Sequence, residues 1–180
     1  MADCYHEISG KLREFIERQK IFFVATADVN GRVNVSPKGA DTFRVMGPNR
    51  AVWLSLTGSG NETAAHMLAC NRITMMFCSF DKHPMILRLY GSGRIIYPNS
   101  EKWGELKILF PEKIGARQIF DIDVDLVQTS CGFQVPYYEY LGEREALDNW
   151  ALNKGQDGIH TYWREKNAVS LDGKPTGIDG

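Results

Sequence analysis

The chain has 180 residues and a mass of 20.4 kDa, a length that fits one domain and is too short for two full hydrophobic cores. Hydrophobic residues make up 43% of it and charged residues 24%, close to globular averages, which excludes a disordered or low-complexity chain. The formal net charge of -1 and the isoelectric point near 6.4 supply no overall attraction to nucleic acid or to an anionic membrane, so neither is expected as a partner.

The start of the chain, its apolar runs and its cysteines indicate its location. Residues Met1–Glu7 are polar, and no apolar stretch of signal-peptide length follows them. The longest apolar runs, such as Ile21–Ala25, are far shorter than the ~20 residues of a membrane-spanning helix. The four cysteines form no C-x-x-C pair and have no histidine at zinc-finger spacing. We therefore expect a cytoplasmic protein with reduced thiols and no metal site.

The first predicted elements are a helix and a hairpin. Apolar residues at helical spacing predict an amphipathic helix over Asp3–Lys20. The apolar run Ile21–Ala27 and the alternating run Arg32–Lys38 are separated by a turn that contains Asn30-Gly31. Because Asn-Gly between two such runs is a strong hairpin signal, we expect two antiparallel strands here.

Further strands and two helices follow the hairpin. The later strands are predicted over Thr42–Met46, Ala51–Leu56, Ile73–Ser79, Met85–Ile96 and Gln118–Thr129. Helices are predicted over Gly60–Cys70 and over Ser100–Leu109, the second capped by Ser100. Within Phe120–Leu126 apolar residues alternate with aspartates, which predicts a half-buried strand whose acidic outer face discourages edge pairing.

These elements define the fold class and the domains. Seven short strands with few helices imply a mainly β (α+β) protein built on an antiparallel sheet or barrel. Beyond Pro136 the pattern becomes helical, and Gly173–Gly180 is expected to be a loose tail. We assign residues 1–130 to the barrel with its N-terminal helix. Residues 131–180 form an extension packed on the barrel, not an independent domain.

The strand Arg32–Lys38 carries the first candidate site. Its polar face consists of Arg32, Asn34, Ser36 and Lys38, and its other face of Val33, Val35 and Pro37. On this face two positively charged donors bracket an amide and a hydroxyl. A plain solvent-facing strand surface explains the same alternation, because polar alternation is normal in antiparallel sheets.

The glycine-containing loop Thr57–Thr63 is the second candidate site. Glycines allow a ligand to approach the backbone, and free N–H groups at a helix N-terminus bind phosphate. Ser59 and Glu62 also have the spacing of a capping box, so a well-capped helix is the alternative interpretation. The loop has no Gly-Lys-Ser/Thr sequence and is not a Walker A loop.

Two single residues complete the candidates. Arg88 lies in mid-strand between apolar neighbours, so its guanidinium must reach water, a carboxylate or a ligand anion. His66 lies on the predicted second helix, where packing or capping is favoured over catalysis. The sequence offers no nucleophile beside a base, so no catalytic residue is assigned.

Read in order, these segments resemble the split-barrel family of pyridoxamine 5'-phosphate oxidases and their relatives. FFVATADVNGRVNVSPKG is similar to the family's opening hairpin. WLSLTGSGNETAAHMLACNRITMMF is similar to its strand, phosphate loop, helix and next strand, and RLYGSGRII resembles the long strand that follows. The resemblance covers Ile21 to Ile96 and implies an antiparallel split β-barrel of six to seven strands, with inserted helices and a helical C-terminal extension.

The resemblance also implies a cofactor and its site. In that family FMN lies at the interface of a homodimer, held by the basic strand and by the loop that enters the helix. The positions that match are Arg32, Val33, Asn34, Val35, Ser36, Lys38, Trp53, Leu54, Ser55, Asn61, Glu62, Thr63 and Arg88. Glu62 departs from the family, which often has Arg or Lys there, and would repel phosphate unless it turns back to cap the helix.

The substrate side of the resemblance is different. Where true pyridoxamine 5'-phosphate oxidases have a Lys, Tyr, Arg and Ser cluster, this chain has Tyr97-Pro98-Asn99-Ser100, and its tail reads TSCGFQVPYYEY. The C-terminal half is similar to that of the oxidase-related proteins, in which Cys131-Gly132-Phe133-x-Val135-Pro136 recurs. Vitamin B6 oxidation is therefore not expected.

Three functions follow from these observations. The first is a homodimeric FMN-binding oxidoreductase that acts on a small molecule, with the flavin supplying the hydride or electron chemistry. The second is a non-catalytic flavin carrier or a barrel without a cofactor. The third is a haem-binding split barrel, for which the axial ligand would be chosen from His6, His66, His83 and His160.

Overall fold

The structure is a computed structural model that describes residues 2–178, which form an antiparallel sheet of eight strands flanked by helices. In chain order the strands are β1 (Asp3–Tyr5), β2 (Phe22–Thr26), β3 (Asn34–Lys38), β4 (Phe43–Gly47), β5 (Arg50–Leu56), β6 (Arg72–Cys78), β7 (Ile86–Ile96) and β8 (Ala116–Ser130). Seven of them are neighbours in the order β3-β2-β6-β7-β8-β5-β4, and β1 pairs with β8. All seven predicted strands are therefore confirmed, with ends that shift by one or two residues.

The sheet curls into a barrel because its two ends share one core. Phe22 on β2 and Phe43 on β4 lie near opposite ends of the strand order, yet their ring centroids are 5.2 Å apart. Both rings also contact Phe77 on β6, at 5.6 and 5.0 Å. Trp53 on β5 stacks on Phe120 of β8 at 4.7 Å and is almost completely buried. This aromatic core holds the two ends of the open sheet together in the predicted split barrel.

Four helices and one π-helical turn surround the barrel within residues 2–178. They are α1 (Gly10–Arg18), α2 (Glu62–Ala69), α3 (Lys102–Lys107), α4 (Ala146–Tyr162) and the π-helical turn Trp163–Asn167. The predicted cap at Ser100 is wrong, because α3 begins one residue after Glu101 and has no side-chain cap. Gly155, at φ +66°, kinks α4.

The N-terminal helix is shorter than its sequence pattern predicts. Asp3–Tyr5 is β1 and pairs with β8 through Cys4 and Gln128, so the predicted start at Asp3 is wrong. The helix begins at Gly10, where the Ser9 hydroxyl accepts a hydrogen bond from the Leu12 N–H at 3.5 Å. The N-cap serine, rather than the apolar spacing, decides where the helix starts.

The strand β8 lies inside the sheet and not at its edge. It pairs with β7, β5 and β1, which contradicts an acidic outer face that keeps other strands away. Asp121 is 1% exposed, and its carboxylate accepts hydrogen bonds from the Arg50 guanidinium at 2.8 and 3.1 Å. The positive charge of Arg50 on the adjacent strand compensates the negative charge of Asp121, so this aspartate does not keep the neighbouring strand away.

The C-terminal residues are ordered against the barrel. Val169 pairs with Pro175, and Thr176 is fully buried, with its hydroxyl donating to the Asn167 carbonyl at 2.6 Å. The predicted loose tail is wrong up to residue 178, and its last two residues lie outside the described part of the chain. Across residues 2–178, no helix combines the length and the apolar character needed to cross a membrane.

Candidate functional site

The cavity that bears the predicted site lies between β3, β5, the loop before α2 and the C-terminal residues. Its volume is about 550 Å³. Eight of the residues predicted for the cofactor line it, namely Asn34, Ser36, Lys38, Trp53, Ser55, Asn61, Glu62 and Thr63. They come from separate parts of the chain that only the barrel brings together. The opposite wall consists of Lys166, Val169, Ser170 and Leu171, which we call the C-terminal strap together with the rest of residues 166–176.

The polar face of β3 forms one wall of the cavity. Asn34 donates a hydrogen bond from Nδ2 to the Thr63 hydroxyl at 3.3 Å, which ties the strand to α2. The Lys38 ammonium lies 5.4 Å from the centre of the Trp53 ring. Burial, reinforced by the charge of Arg117, lowers the pKa of Lys38 to about 8. This face is the more covered one, since Val35 on the other face is 62% exposed.

The loop before α2 is built differently from the predicted capping box. The N-cap position is Asn61, which makes no side-chain cap, and the helix begins at Glu62. The Glu62 carboxylate accepts hydrogen bonds from the Leu171 N–H at 2.9 and 3.1 Å, so it holds the C-terminal strap instead of capping α2. Asn61 is buried, and its amide exchanges two hydrogen bonds with that of Gln118, at 2.7 and 3.3 Å.

Arg117 on β8 is a buried cation of the site that sequence analysis missed, as it missed the residues of the strap. It lines the cavity and is 5% exposed. Nη1 donates to the Gly60 carbonyl at 2.9 Å and to Asn167 Oδ1 at 2.7 Å, and Nη2 donates to the Ser55 hydroxyl at 3.3 Å. Burial lowers its pKa to about 10. The sequence does contain a signal, because an arginine directly precedes the start of a predicted strand. Only the aspartates of that strand entered the prediction made from the sequence.

The C-terminal strap is fastened to the glycine-containing loop. Asn167 of the strap donates from Nδ2 to the Gly58 carbonyl at 3.0 Å, and Trp163, just before the strap, donates from Nε1 to the Thr57 hydroxyl at 2.8 Å. The Tyr97 hydroxyl donates to the Thr176 carbonyl at 2.5 Å. Burial raises the pKa of Tyr97 to about 12, so it stays a neutral donor. These bonds make the strap a wall of the cavity.

Five predicted residues lie outside the lining of the cavity. Arg32 forms an ion pair with Asp172 of the strap. Val33, directly before β3, and Val35, on β3, are 70% and 62% exposed. Leu54 is fully buried in an apolar cluster, and Arg88 donates from Nη1 to the Ser130 hydroxyl at 3.2 Å.

The histidines also lie away from the cavity. His66 is buried on α2, and its Nδ1 is 3.1 Å from the Thr26 hydroxyl, in agreement with the predicted packing role. His160 on α4 is exposed and contacts Gln156 at 2.8 Å. Among residues 2–178, no group of three or more His, Cys, Asp and Glu side chains has the arrangement of a metal site.

Comparison with known proteins identifies the family of the chain. Residues 8–131 match the family model described as pyridoxamine 5'-phosphate oxidase. A curated relative, the pyridoxamine 5'-phosphate oxidase family protein ustO of Aspergillus flavus, is 35% identical over 195 aligned positions, which cover 97% of this chain and 78% of ustO. The chain therefore belongs to the pyridoxamine 5'-phosphate oxidase family.

Solved structures support the fold. HupZ from Group A Streptococcus has a TM-score of 0.53 and 18% identity, over 66% of this chain and 91% of that chain. A Lactobacillus delbrueckii protein described as a candidate pyridoxamine 5'-phosphate oxidase has a TM-score of 0.55, with 15% identity over 68% of this chain and 94% of that chain. At these identities the likeness concerns the split barrel alone.

Proposed function

We propose that the protein is a homodimeric FMN-binding oxidoreductase that transfers a hydride or electrons between FMN and a small molecule. The observation that carries this proposal is the convergence of eight predicted cofactor residues on one cavity of about 550 Å³. When bound, flavin supplies the redox chemistry, and the protein binds, orients and tunes it. Because the flavin would supply the redox chemistry, the protein does not need a nucleophile beside a base, and the sequence offers none.

The lining has the chemistry that a flavin nucleotide needs. Lys38 is a half-buried cation, and among residues 2–178 it forms no ion pair with a carboxylate, so it is available to an anionic group. Ser36, Ser55 and Thr63 in the lining carry hydroxyls, and Trp53 contributes an aromatic ring to it. Cations and hydroxyls bind phosphate because they donate charge-assisted hydrogen bonds to its oxygens.

Glu62 does not oppose an anionic ligand as strongly as the sequence suggests. Both of its carboxylate oxygens accept from the Leu171 N–H, a backbone donor on the C-terminal strap. A carboxylate bonded to an N–H has part of its charge compensated, which weakens its repulsion of phosphate. This contact therefore reconciles an acidic residue with the family's phosphate loop.

The dimer in the proposal is supported by the exposed apolar side of β3. Val35 is 62% exposed on β3, the strand at the end of the sheet, and Val33, directly before this strand, is 70% exposed. Unpaired edge strands with apolar side chains are sites of association. In a dimer with twofold symmetry, each subunit would cover this edge of its partner, and the dimer would contain two equivalent cofactor sites. We also propose that residues 131–180 act as part of the barrel domain, because the strap forms a wall of its cavity.

The substrate in the proposal is not a vitamin B6 phosphate. The sequence lacks the family's Lys, Tyr, Arg and Ser cluster after the long strand, and a second phosphate would need converging cations. Aromatic residues after β8 are exposed, including Phe133, Tyr137 and Tyr138 at 76%, 77% and 69%. Their stacking surface suits a planar acceptor or donor, such as a quinone or a nicotinamide.

The test is the visible spectrum of the purified protein and a titration with FMN, FAD and riboflavin. The expected result is a yellow protein, or one that takes up FMN in preference to the other two. Lys38→Ala should weaken FMN binding by about 1.5–3 kcal/mol, since it removes a charge-assisted hydrogen bond. Lys11→Ala, on α1 and outside the cavity, is the matched control.

Other outcomes point to the other functions. A colourless protein that ignores FMN in calorimetry would favour a barrel without cofactor, and a Soret band would favour haem. Turnover of pyridoxamine 5'-phosphate at ~1 s⁻¹ or faster, a rate typical of enzymes, would contradict the proposed substrate class.

A further inference from the structure

The C-terminal strap is held in different ways at its stem and at its tip. We call Asn167, Ala168 and Thr176 the stem, and residues 169–175 the tip. Asn167 and Thr176 are fully buried. The Thr176 hydroxyl donates to the Asn167 carbonyl at 2.6 Å, and the Thr176 N–H donates to the Ala168 carbonyl at 3.0 Å. Because these bonds join uncharged groups, dissolved salt leaves the stem in place.

The tip is a compact turn that its own hydrogen bonds hold together. Val169 pairs with Pro175 across the turn. The Ser170 N–H donates to the Lys174 carbonyl at 2.8 Å, and the Gly173 N–H donates to the Ser170 carbonyl at 3.0 Å. These contacts do not involve the barrel, so the tip can leave the barrel and keep its shape.

Charged contacts attach the tip to the barrel. Asp172 forms an ion pair with Arg32, and Lys174 forms an ion pair with Asp28. Asp28 and Arg32 flank the turn between β2 and β3, and the two pairs have opposite polarity, so the charges of the tip match those of the turn. Ion pairs that have an exposed member are weak, and salt screens them.

Apolar burial contributes little to the attachment of the tip. Val169 and Leu171 are 54% and 73% exposed. The Leu171 N–H adds a hydrogen bond to the Glu62 carboxylate at 2.9 Å, which is again a contact with a charged group. Among the described residues of the tip, Asp172 and Lys174 lie outside the lining of the cavity, so their charges attach the tip and do not contact a ligand.

We propose that the tip of the strap is a gate of the cavity, which moves as one unit and is held shut by its ion pairs with the β2–β3 turn. Val169, Ser170 and Leu171 form the cavity wall opposite β3, so release of the tip removes this wall. The inference rests on the proposed function in taking FMN as the ligand, and it deepens that function by naming how ligand exchange is regulated. Loops that close over a site commonly set the rates of entry and release.

A gate has a kinetic signature that a binding contact lacks. It must open for entry and for exit alike, so a weaker attachment raises the association and dissociation rate constants by the same factor. The dissociation constant then stays almost the same, because only a difference in affinity between two states shifts an equilibrium.

The first experiment measures amide hydrogen exchange of the full chain by NMR without a ligand. Lys174→Gln removes a cation of the tip and leaves intact the two N–H bonds between tip and barrel, those of Leu171 and Arg32. Both amides should nevertheless exchange about threefold faster or more, because the tip is released as one unit. The Thr176 N–H of the stem should keep its rate. Lys82→Gln, exposed in the loop between β6 and β7, is the matched control.

The second experiment follows entry into the cavity with a probe that needs no flavin site. Ser55 lines the cavity and is 3% exposed, so Ser55→Cys can be labelled with pyrene maleimide, a neutral planar reagent of about the size of a flavin ring. Addition of Lys174→Gln should raise the labelling rate at residue 55 about threefold or more. Cys78, which is 6% exposed and outside the lining, should keep its rate, as mass spectrometry of the labelled peptides can show.

The third experiment is stopped-flow mixing with FMN, followed by flavin fluorescence. Lys174→Gln should raise the association and dissociation rate constants by the same factor, and the dissociation constant should change less than about twofold. A loss of affinity through faster dissociation alone would mean that the tip is a binding contact and not a gate.

Two further results would overturn the inference. One is unchanged exchange at Leu171 and Arg32 in Lys174→Gln, with folding checked by circular dichroism, because the tip would then not move as a unit. The other is faster exchange without faster labelling at residue 55, because the moving tip would then not control entry. Failure of the proposed function is recognised separately, since a protein that takes up no flavin but is labelled faster in Lys174→Gln retains the gate and is not a flavoprotein.

Discussion

The guanidinium of Arg32 forms an ion pair with the carboxylate of Asp172, 140 residues farther along the chain. The Arg32 N–H also donates to Asp172 Oδ2 at 2.8 Å, and these contacts lower the pKa of the Asp172 carboxyl, chiefly through that backbone hydrogen bond. The cation that the family resemblance assigns to phosphate is therefore already bound by the chain itself. This contact links the N-terminal end of the basic strand to the C-terminal strap.

The Arg32–Asp172 pair predicts unequal effects of the two cations of the polar face. Because Arg32 is bound to Asp172 and lies outside the cavity lining, Arg32→Ala should change FMN affinity by less than about threefold. Lys38→Ala should weaken FMN binding more, by about 1.5–3 kcal/mol. Asp172→Asn should leave the urea midpoint of unfolding almost unchanged, since the Arg32 side chain is exposed and exposed ion pairs contribute little. Fluorescence titration with FMN and urea unfolding measure these effects, and an Arg32→Ala effect as large as that of Lys38→Ala would contradict the assignment.

The Glu62–Leu171 contact predicts how the strap is held. Glu62→Ala removes the acceptor of the Leu171 N–H, so amide hydrogen exchange at residues 170–172 should accelerate. Glu62→Gln keeps one acceptor oxygen and removes the negative charge, so the strap should stay docked and FMN affinity should be unchanged or stronger. Glu165→Gln, an exposed change on the neighbouring π-helical turn, serves as the control. Weaker FMN binding by Glu62→Gln would mean that the carboxylate itself assists the ligand.

The buried charge of Lys38 should lower the stability of the folded protein while it strengthens the binding of anions. Its pKa in the folded protein is about 8, against 10.5 for an unperturbed lysine, so the charged form costs stability below pH 8 and this cost disappears as the pH rises towards 10.5. Lys38→Met should therefore raise the free energy of unfolding at pH 7 by about 1–3 kcal/mol while it weakens binding of anions. Urea unfolding at pH 7 and pH 10 tests this, because the gain should shrink at the higher pH.

The same group predicts the pH dependence of ligand binding. Anion affinity should be highest below pH 8 and should fall as Lys38 loses its proton above it. The charged groups that line the cavity beside Lys38 are Arg117, Glu62 and Lys166, and burial lowers the pKa of Arg117 only to about 10. The loss should therefore begin near pH 8, and it should be absent in Lys38→Met. Phosphate titrations between pH 6.5 and 9.5 measure it, and an affinity that does not vary over this range would count against Lys38.

The exposed side of β3 predicts the assembly. Sedimentation should give a mass near twice 20.4 kDa. Val35→Asp places a charge on the 62% exposed apolar side of the strand and should shift the protein to the monomer. Val29→Asp is the matched control, because Val29 is 76% exposed in the turn before β3. A wild-type monomer that binds flavin tightly would contradict the interface.

Gly91 lies at a position on β7 where the neighbouring backbone leaves no room for a side chain. A Cβ there would lie 2.0 Å from the Asp123 carbonyl oxygen, at the point where the β7–β8 register shifts between Tyr90 and Gly91. Gly91→Ala should destabilise the protein by about 2 kcal/mol or more, because the backbone must move. Gly104→Ala on α3 meets no atom within 4 Å and should be neutral or stabilising by up to about 1 kcal/mol. Equal melting temperatures for the two variants would refute the argument.

The sequence alone determined the elements whose information is local. The Asn-Gly turn and the flanking alternation specify the β2–β3 hairpin, because side-chain direction along a strand and the conformation of a tight turn depend on a few neighbouring residues. The same periodicity correctly placed Asn34, Ser36 and Lys38 on one face. Sequence order then allowed the family resemblance to predict the split barrel.

The tertiary structure decided which of these side chains meet. The contacts of Arg117 with Asn167 and of Glu62 with Leu171 join residues 50 and 109 positions apart, and no periodic pattern encodes such pairs. Asp121 shows the same limit, because an alternating aspartate looks solvated until Arg50 on the adjacent strand is known to face it. Electrostatic partners are set by the register and curl of the sheet, so a charge's neighbours, and with them its pKa and its use in a site, emerge only when the chain has folded.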